Sequence, residues 1–107
     1  MGKAERERGK RGEREWAAYL RDVGGFVGAR RGVQYSGLGG AMDVCCPELD
    51  ESLWCEVKRV QKLSLESWMQ TATESASGNQ IAYIAHRKDG CRWRVTTDGE
   101  DFLKLMR

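Results

Sequence analysis

Three carboxylates and one amine are the side chains of this sequence whose types and spacing best suit chemistry at a charged site: Glu13, Asp43, Glu56 and Lys58. Glu56 and Lys58 lie in the segment Trp54-Cys55-Glu56-Val57-Lys58, whose pattern predicts a β-strand. Because side chains alternate between the faces of a strand, Glu56 and Lys58 are expected on the same face. Such a pair is also typical of an ordinary ion pair on an exposed strand, so its interpretation depends on its neighbours.

Asp43 is the neighbour that favours a site over an ion pair. If residues 41–46 and 53–60 form an antiparallel hairpin around a polar turn at residues 47–52, Asp43 lies directly opposite Glu56. Two carboxylates in that position destabilise a sheet unless a cation lies between them. Apolar residues flank Asp43, where an uncompensated carboxylate is costly. Hard oxygen ligands of this kind favour Mg²⁺ or Mn²⁺ over Zn²⁺.

Glu13 is predicted to lie on the buried side of the first helix. At the helical repeat it falls in one arc with Trp16, Ala17 and Leu20. Glu15 points to the opposite side, where we expect it to be solvated. This orientation makes Glu13 a third acid for the site. The alternative is that Glu13 is simply an acidic residue favoured near the positive end of the helix dipole.

The apolar pattern predicts eight elements in the order α-β-β-β-α-β-β-α. Helical spacing predicts helices over residues 9–23 and from Leu65 to near Gly78, and the capping-box spacing of Thr97 and Glu100 predicts a short terminal helix. Alternation predicts strands at residues 27–35, 41–46, 53–60, 81–86 and 91–96. We therefore expect an α/β fold with a central mixed sheet flanked by helices.

Length and charge limit the classes of protein to consider. At 107 residues the chain is too short for two cores, so we predict a single domain over residues 1–107 with a basic N-terminal arm at residues 1–8. No apolar stretch suits a membrane span or a signal peptide, and we expect a cytoplasmic protein. The segment from Lys3 to Arg31 holds nine basic and five acidic residues, which suggests an anionic partner such as nucleic acid.

The sequence resembles the PD-(D/E)XK nucleases in Glu13-Arg14-Glu15, in the segment from Gly37 to Asp43, and in Glu56-Val57-Lys58. Within that superfamily it is similar to the small archaeal and phage Holliday-junction resolvase-like endonucleases, in which a basic, glycine-containing stretch precedes the Glu-Arg-Glu helix. Two positions depart from the pattern. Met42 replaces the usual proline before the acid, and Gln70, the one candidate for a helix glutamine, lies off the apolar stripe and has no assigned role.

The resemblance implies a restriction-endonuclease-like core and Mg²⁺-dependent hydrolysis of DNA phosphodiester bonds. Mn²⁺ is the alternative metal. Asp43, Glu56 and the backbone carbonyl of Val57 would bind the metal, with Glu13 contacting it directly or through water. Lys58 would orient the attacking water or help to deprotonate it. DNA contacts would come from the start of the first helix and from the basic strand and loop: Lys10, Arg11, Arg30, Arg31, Gln34, Tyr35 and Ser36.

The partner implied by the resemblance is branched DNA, in particular a four-way junction. Symmetric cutting of such a junction needs two copies of so small a domain, so we expect a homodimer, with Trp54 and the terminal strands as candidates for its interface. Three alternatives stay open: a nicking or flap-type nuclease of the same superfamily, a non-catalytic DNA-binding or assembly module, and an intracellular interaction domain.

Overall fold

The computed structural model describes residues 2–32 and 42–107, which form three helices and five strands in the predicted order. These are α1 (Lys3–Asp22), β1 (Arg30–Arg31), β2 (Val44–Cys45), β3 (Leu53–Arg59), α2 (Leu65–Ser75), β4 (Ile81–Arg87), β5 (Arg94–Thr96) and α3 (Gly99–Leu105). The predicted α/β class, with a small mixed sheet and flanking helices, is confirmed. The predicted loop at residues 36–40 lies outside the described residues.

Helix α1 is longer than predicted because the basic N-terminal arm continues it back to Lys3. Its buried side consists of Gly12, Trp16, Ala17 and Leu20, as helical spacing predicts. The helix ends before Gly25, whose φ of 77° lies in the left-handed region that glycine adopts most readily. Neither this helix nor any other in the described part of the chain is long and apolar enough to cross a membrane.

A three-stranded mixed sheet in the order β3-β4-β5 carries most of the core. Strands β3 and β4 are parallel, in register from Leu53 opposite Ile81 to Arg59 opposite Arg87. Helix α2 makes the crossover that a parallel pair requires, and it buries Met69 and Ala72. Strand β5 then returns antiparallel to β4 after a turn in which Cys91 N–H donates to the Lys88 carbonyl at 3.0 Å.

The predicted hairpin between residues 41–46 and 53–60 is wrong in its pairing. Strand β2 pairs with β1 in a separate antiparallel sheet, with Arg31 opposite Val44, while β3 pairs with β4. A backbone bond from Asp43 N–H to the Cys55 carbonyl, 3.1 Å long, joins the two sheets. The next donor along β3, the N–H of Val57, goes to the Asp43 carboxylate instead of a carbonyl. The side chain of Asp43 therefore interrupts the ladder that alternation alone predicts.

The start of α3 also differs from the prediction. Its N-cap residue is Asp98, and no side-chain capping bond forms there. The Thr97 hydroxyl donates instead to the Ala82 carbonyl at 2.8 Å. A buried carbonyl of β4 thus gains a partner from Thr97, which leaves the predicted capping box with Glu100 unformed.

Helix α1 lies against β3 at Gly12, where the side chain of Arg59 covers the bare helix backbone. A Cβ atom added at Gly12 would lie 2.7 Å from the Cβ of Arg59. The guanidinium of Arg59 contacts Glu15 of the same helix at 2.7 Å and Asp89 at 2.8 Å. Its side chain is only 9% exposed, whereas those of Glu15 and Asp89 are 31% and 57% exposed, so burial shields the cation more than its partners. Glu15, expected to be solvated, therefore fastens α1 to the sheet.

We expect Gly12→Ala to destabilise the protein, because the added methyl group must push α1 away from β3. Overpacking of this kind costs about 1 to 3 kcal/mol. Gly9→Ala is the matched control, since a Cβ at that position of the same helix meets nothing within 4 Å. Alanine there is expected to stabilise the helix by about 0.5 to 1 kcal/mol. Urea denaturation followed by circular dichroism measures both changes, and equal effects of the two substitutions would contradict the tight contact.

Candidate functional site

Asp43 connects the segment before β2 to the middle of β3 through both its backbone and its side chain. Its carboxylate Oδ2 accepts a hydrogen bond from the Val57 N–H at 2.9 Å. Its backbone N–H donates to Cys55, and its carbonyl accepts from the Gly32 N–H at 2.8 Å. Asp43 thus contacts the residues on either side of Glu56, which brings the two acids next to each other without a regular ladder.

Two tryptophans contact the Glu56 and Lys58 side chains on their shared face of β3. The indole N–H of Trp54 donates to Glu56 Oε2 at 2.9 Å, and Trp54 lies on the same face two residues earlier. The Lys58 Nζ lies 5.7 Å from the ring centroid of Trp68, which projects from α2. A cation over an aromatic face is stabilised by the ring quadrupole, so Trp68 helps to hold the Lys58 ammonium in place.

Burial and mutual repulsion perturb both acids. Burial first, and then the negative charges of Glu56 and Glu13, raise the pKa of Asp43 to about 7, against the hydrogen bond from Val57 and the charge of Lys58. Burial also raises the pKa of Glu56, opposed by the hydrogen bond from Trp54 and by Lys58. Carboxylates that repel each other in a partly desolvated position bind a proton or a cation to relieve the repulsion.

Glu13 reaches the same region from α1, where it is paired with a basic residue of β1. Its Oε1 accepts from the Arg31 Nε at 2.7 Å, and the two side chains are 19% and 41% exposed. The charge of Glu13 acts on both Asp43 and Glu56 and raises the pKa of each. Arg31, predicted to contact DNA, therefore shares its positive charge with one of the acids of the site.

A single cleft brings these four side chains together. It has a volume of about 680 Å³ and lies between α1, the segment before β2 and the end of β3. Its lining contains Glu13, Asp43, Glu56, Val57 and Lys58, together with Arg8 and Lys62. A neighbouring cleft of about 520 Å³ shares Glu13 and Asp43 and adds Arg6, Lys10 and Arg31. Acidic and basic side chains thus line the same groove, which also includes Glu5 of α1.

The carboxylates fit a hard cation in donor type, but they do not form a compact ligand cluster. Within residues 2–32 and 42–107, no group of three or more His, Cys, Asp or Glu side chains lies close enough to hold a metal ion. Glu13 is drawn toward Arg31, and Asp43 toward the Val57 N–H. The structure therefore shows acids that share a cleft and influence each other's charge, with their oxygens engaged by protein donors.

The predicted DNA-binding residues are only partly gathered at these two clefts. Lys10 and Arg31 line the neighbouring cleft, whereas Arg11 is exposed on α1 and does not line either cleft. Arg30 is exposed on β1, and its guanidinium donates to the Gly28 carbonyl at 3.4 Å. The remaining three, Gln34, Tyr35 and Ser36, lie outside the described residues.

Four basic residues that line the two clefts were missed from the sequence: Arg6, Arg8, Arg59 and Lys62. Arg6 lies seven residues before Glu13, almost two helical turns, so helical spacing extended into the N-terminal arm would have placed both on one face. Lys62 follows β3 at the point where the chain turns toward α2. No sequence pattern marks Lys62, because its approach to the cleft depends on the path of a connecting segment.

Comparisons with protein-family models, with curated proteins and with solved structures found no match for this chain. The site itself contains two acids with raised pKa values, Asp43 and Glu56, beside the amine of Lys58, in a groove that basic residues also line.

The raised pKa of Asp43 predicts a pH dependence of stability in the metal-free protein. The pKa of this carboxyl has its ordinary value of 3.8 in the unfolded chain and is raised to about 7 in the fold, so folding favours the protonated form. That stabilisation is complete below the unfolded pKa and is lost as pH rises through the folded pKa. In chelator, wild type should lose on the order of 2 to 4 kcal/mol relative to Asp43→Asn between pH 4 and pH 7.

Denaturant midpoints of wild type and Asp43→Asn across this pH range measure the difference. Asp98→Asn removes an exposed carboxylate and is the control, for which we expect a curve parallel to that of wild type. Parallel curves for Asp43→Asn as well would show that Asp43 is not held in a strained environment.

Proposed function

We propose that this protein is a Mg²⁺-dependent DNA endonuclease of the PD-(D/E)XK type, selective for branched DNA such as a Holliday junction. The observation that supports it best is the hydrogen bond between Asp43 and Val57. This bond puts an acid from one segment beside the Glu56-Val57-Lys58 segment of β3, in one cleft with Glu13. Acids and an amine in this arrangement suit phosphodiester hydrolysis.

The topology is compatible with a restriction-endonuclease-like core. Helix α1 packs beside β3, and the strand that carries Glu56 and Lys58 lies parallel to β4 with α2 as the crossover. In open α/β sheets, ligands bind near the carboxyl ends of parallel strands. The cleft continues past that end of β3, through residues 59–62. The site is therefore located where an α/β sheet ordinarily binds its substrate.

The donor set suits Mg²⁺, with Mn²⁺ as a possible substitute. Asp43, Glu56 and the backbone carbonyl of Val57 would hold the ion, and Glu13 would contact it directly or through water. When bound, such an ion lowers the pKa of water and offsets charge on phosphate. Binding a cation would also relieve the repulsion that raises the pKa of Asp43.

The amine of Lys58 supplies the positive charge that the protein itself contributes to the reaction. Trp68 holds it above the sheet beside Glu56. There Lys58 can donate a hydrogen bond to the attacking water and stabilise the negative charge that develops on phosphate. Basic residues that line the groove, among them Arg8 and Lys62, bind the flanking DNA backbone through their charge.

Cleavage should require each of these groups. With labelled DNA and Mg²⁺, we expect Asp43→Ala, Glu56→Ala and Lys58→Ala each to lower the cleavage rate by about 10² to 10⁴-fold, because each removes a metal ligand or the amine that orients the attacking water. Chelator should abolish cleavage by wild type. Glu66→Ala, at an exposed acid in the first turn of α2, is the matched control and should retain full activity.

Circular dichroism spectra of the three variants must stay native for this test to be interpretable. Comparison of a four-way junction, a flap and a linear duplex identifies the substrate: equal cutting of a flap or nicking of duplex would favour the alternative nucleases. DNA binding that is independent of Mg²⁺, with no product at any metal concentration, would favour a non-catalytic DNA-binding or assembly module and overturn the proposal.

A homodimer follows from the proposed substrate, since two strands of a junction need two sites. Strand β5 is an edge of its sheet, and more than half of each of five large apolar side chains near it is exposed: Val95, Phe102, Leu103, Leu105 and Met106. An open edge beside an apolar surface is typical of an interface between copies. Trp54, expected to contribute to the interface, is 9% exposed and bonded to Glu56, so it does not offer a contact surface.

We therefore propose that β5 and α3 contact a second copy of the chain. Replacing Leu103 and Met106 together with lysine should weaken dimerisation by at least about tenfold, because each apolar residue contributes about 1.5 to 3 kcal/mol when it is buried. Thr73→Lys on the exposed side of α2 is the control and should leave the dimer intact. Sedimentation equilibrium measures the dissociation constant, and an unchanged dimer in the double variant would contradict this location.

A further inference from the structure

A second positively charged cavity lies at the turn between β4 and β5, separate from the proposed active cleft. Its volume is about 180 Å³. The residues that line it are Leu63, His86, Arg87, Lys88, Cys91, Arg92 and Arg94. Four of these carry a permanent positive charge and none is acidic. We refer to this cavity as the basic pocket.

The positive charge of the basic pocket is only partly balanced within the described part of the chain. Arg87 is paired with Glu15, with Nη1 3.7 Å from Oε1, whereas Lys88, Arg92 and Arg94 have no ion-pair partner there. The nearest acid along the chain, Asp89, is turned toward Arg59, with which it forms an ion pair at 2.8 Å. Cations brought together without a counter-charge repel each other, so the pocket gains stability when an anion occupies it.

Arg87 and His86 lie on opposite faces of β4. The Arg87 guanidinium is turned toward Glu15 of α1, whereas His86 and Arg94, which are in register on β4 and β5, share the other face. Burial, with the charge of Arg94 as a second cause, lowers the pKa of His86. Its Nε2 is within hydrogen-bond distance of the Thr96 hydroxyl, at 2.8 Å.

The size of the basic pocket restricts what it can hold. Pockets for drug-sized organic ligands occupy about 300 to 1,000 Å³. At about 180 Å³ the basic pocket is smaller than that range. Arginine guanidinium groups recognise phosphate oxygens through paired N–H donors. A single phosphate group therefore fits both its charge and its volume.

The sheet connects the basic pocket to the proposed active cleft. Lys58 on β3 is in register with His86 on β4, and His86 is in register with Arg94 on β5. The three residues thus form one row across the sheet, and two strand spacings separate its ends by about 10 Å. The connecting segment after β3 contributes Lys62 to the cleft and Leu63 to the pocket. Both cavities therefore include residues at the carboxyl ends of the parallel strands β3 and β4.

We propose that the basic pocket binds a phosphate of the DNA backbone on the side of the active cleft marked by β5, close to the phosphate that is cut. The inference rests on the proposed function for the identity of the ligand. It assigns a contact to the β4–β5 turn, in addition to the basic residues of α1 and β1 predicted from the sequence.

Salt dependence of DNA binding tests the contact directly. Anisotropy of a fluorescein-labelled duplex, in chelator so that no strand is cut, is measured across a series of NaCl concentrations for wild type and for the double variant Arg92→Ala/Arg94→Ala. Each lost phosphate contact reduces the slope of log affinity against log salt by about 0.9. We expect a reduction of about that size in the double variant and recovery in Arg92→Lys/Arg94→Lys, because lysine retains the charge.

The matched control removes the same charge elsewhere. Lys104→Ala/Arg107→Ala changes two exposed basic residues at the C-terminus, neither of which lines the pocket. An equal loss of slope in this control would mean a general charge effect and would overturn the proposal. A second result would also overturn it. If calorimetry shows that the protein binds inorganic phosphate, and Arg92→Ala/Arg94→Ala abolishes this binding but leaves the DNA slope unchanged, the pocket binds a free anion and not DNA.

Cys91 gives a second readout that does not depend on a basic substitution. It is exposed in the pocket, whereas Cys46 and Cys55 are buried and Cys45 is half-buried. Saturating DNA should slow alkylation of Cys91 by a maleimide in wild type and should do so much less in Arg92→Ala/Arg94→Ala. Cys91→Ser identifies the fast-reacting thiol by its loss. Unchanged alkylation with DNA bound would show that DNA does not cover the pocket.

These measurements separate the pocket from the nuclease proposal. A protein that shows the reduced slope and the protected thiol but cuts no DNA with Mg²⁺ would keep the pocket and remove the endonuclease. A protein that cuts DNA while the slopes of wild type and double variant agree would keep the endonuclease and remove the pocket.

Discussion

The hydrogen bond from the Val57 N–H to the Asp43 carboxylate determines much of the site, because it joins two sheets that share little other backbone pairing. Together with the bond from Asp43 N–H to Cys55, it fixes the segment before β2 against the middle of β3. A hydrogen bond to a charged group contributes about 1.5 to 3 kcal/mol, more than an ordinary backbone bond. The same contact places the carboxylate beside Glu56, where burial and repulsion raise its pKa. The bond that stabilises the junction of the sheets is therefore also the source of its electrostatic strain.

A second constraint is the close approach of α1 to β3. The absence of a side chain at Gly12 lets the Arg59 side chain pass beneath the helix, and the ion pair with Glu15 holds it there. Glu13, on the same turn, is carried into the cleft by this packing. Gly12, Glu15 and Arg59 have no proposed reactive role, but their packing controls the position of Glu13. Partly shielded ion pairs of this kind add less to stability than to geometry, since desolvation offsets much of their attraction.

Acidic and basic residues are arranged along the edge of the sheet where β3 and β4 end. Acids line the cleft beside β3, and basic residues lie around them on α1, after β3 and at the β4–β5 turn. The net charge of the chain is only +2, so this arrangement is invisible in the composition. A polyanion lying along the edge would meet positive charge on both sides of the acids. This layout is the physical basis of the proposal that the ligand is a nucleic-acid backbone.

The sequence by itself determined the order and type of the elements, since periods of 2 and 3.6 are local properties of apolar spacing. It also predicted that Glu56 and Lys58 share a face, which follows from strand geometry alone. The tertiary structure decided which strands pair, because the carboxylate of Asp43 competes with a backbone carbonyl for the Val57 N–H. It also decided that Glu15 forms an ion pair with Arg59 and that four basic residues line one pocket at the β4–β5 turn. Contacts between residues far apart in the chain depend on the packing of whole elements, and no local pattern records them.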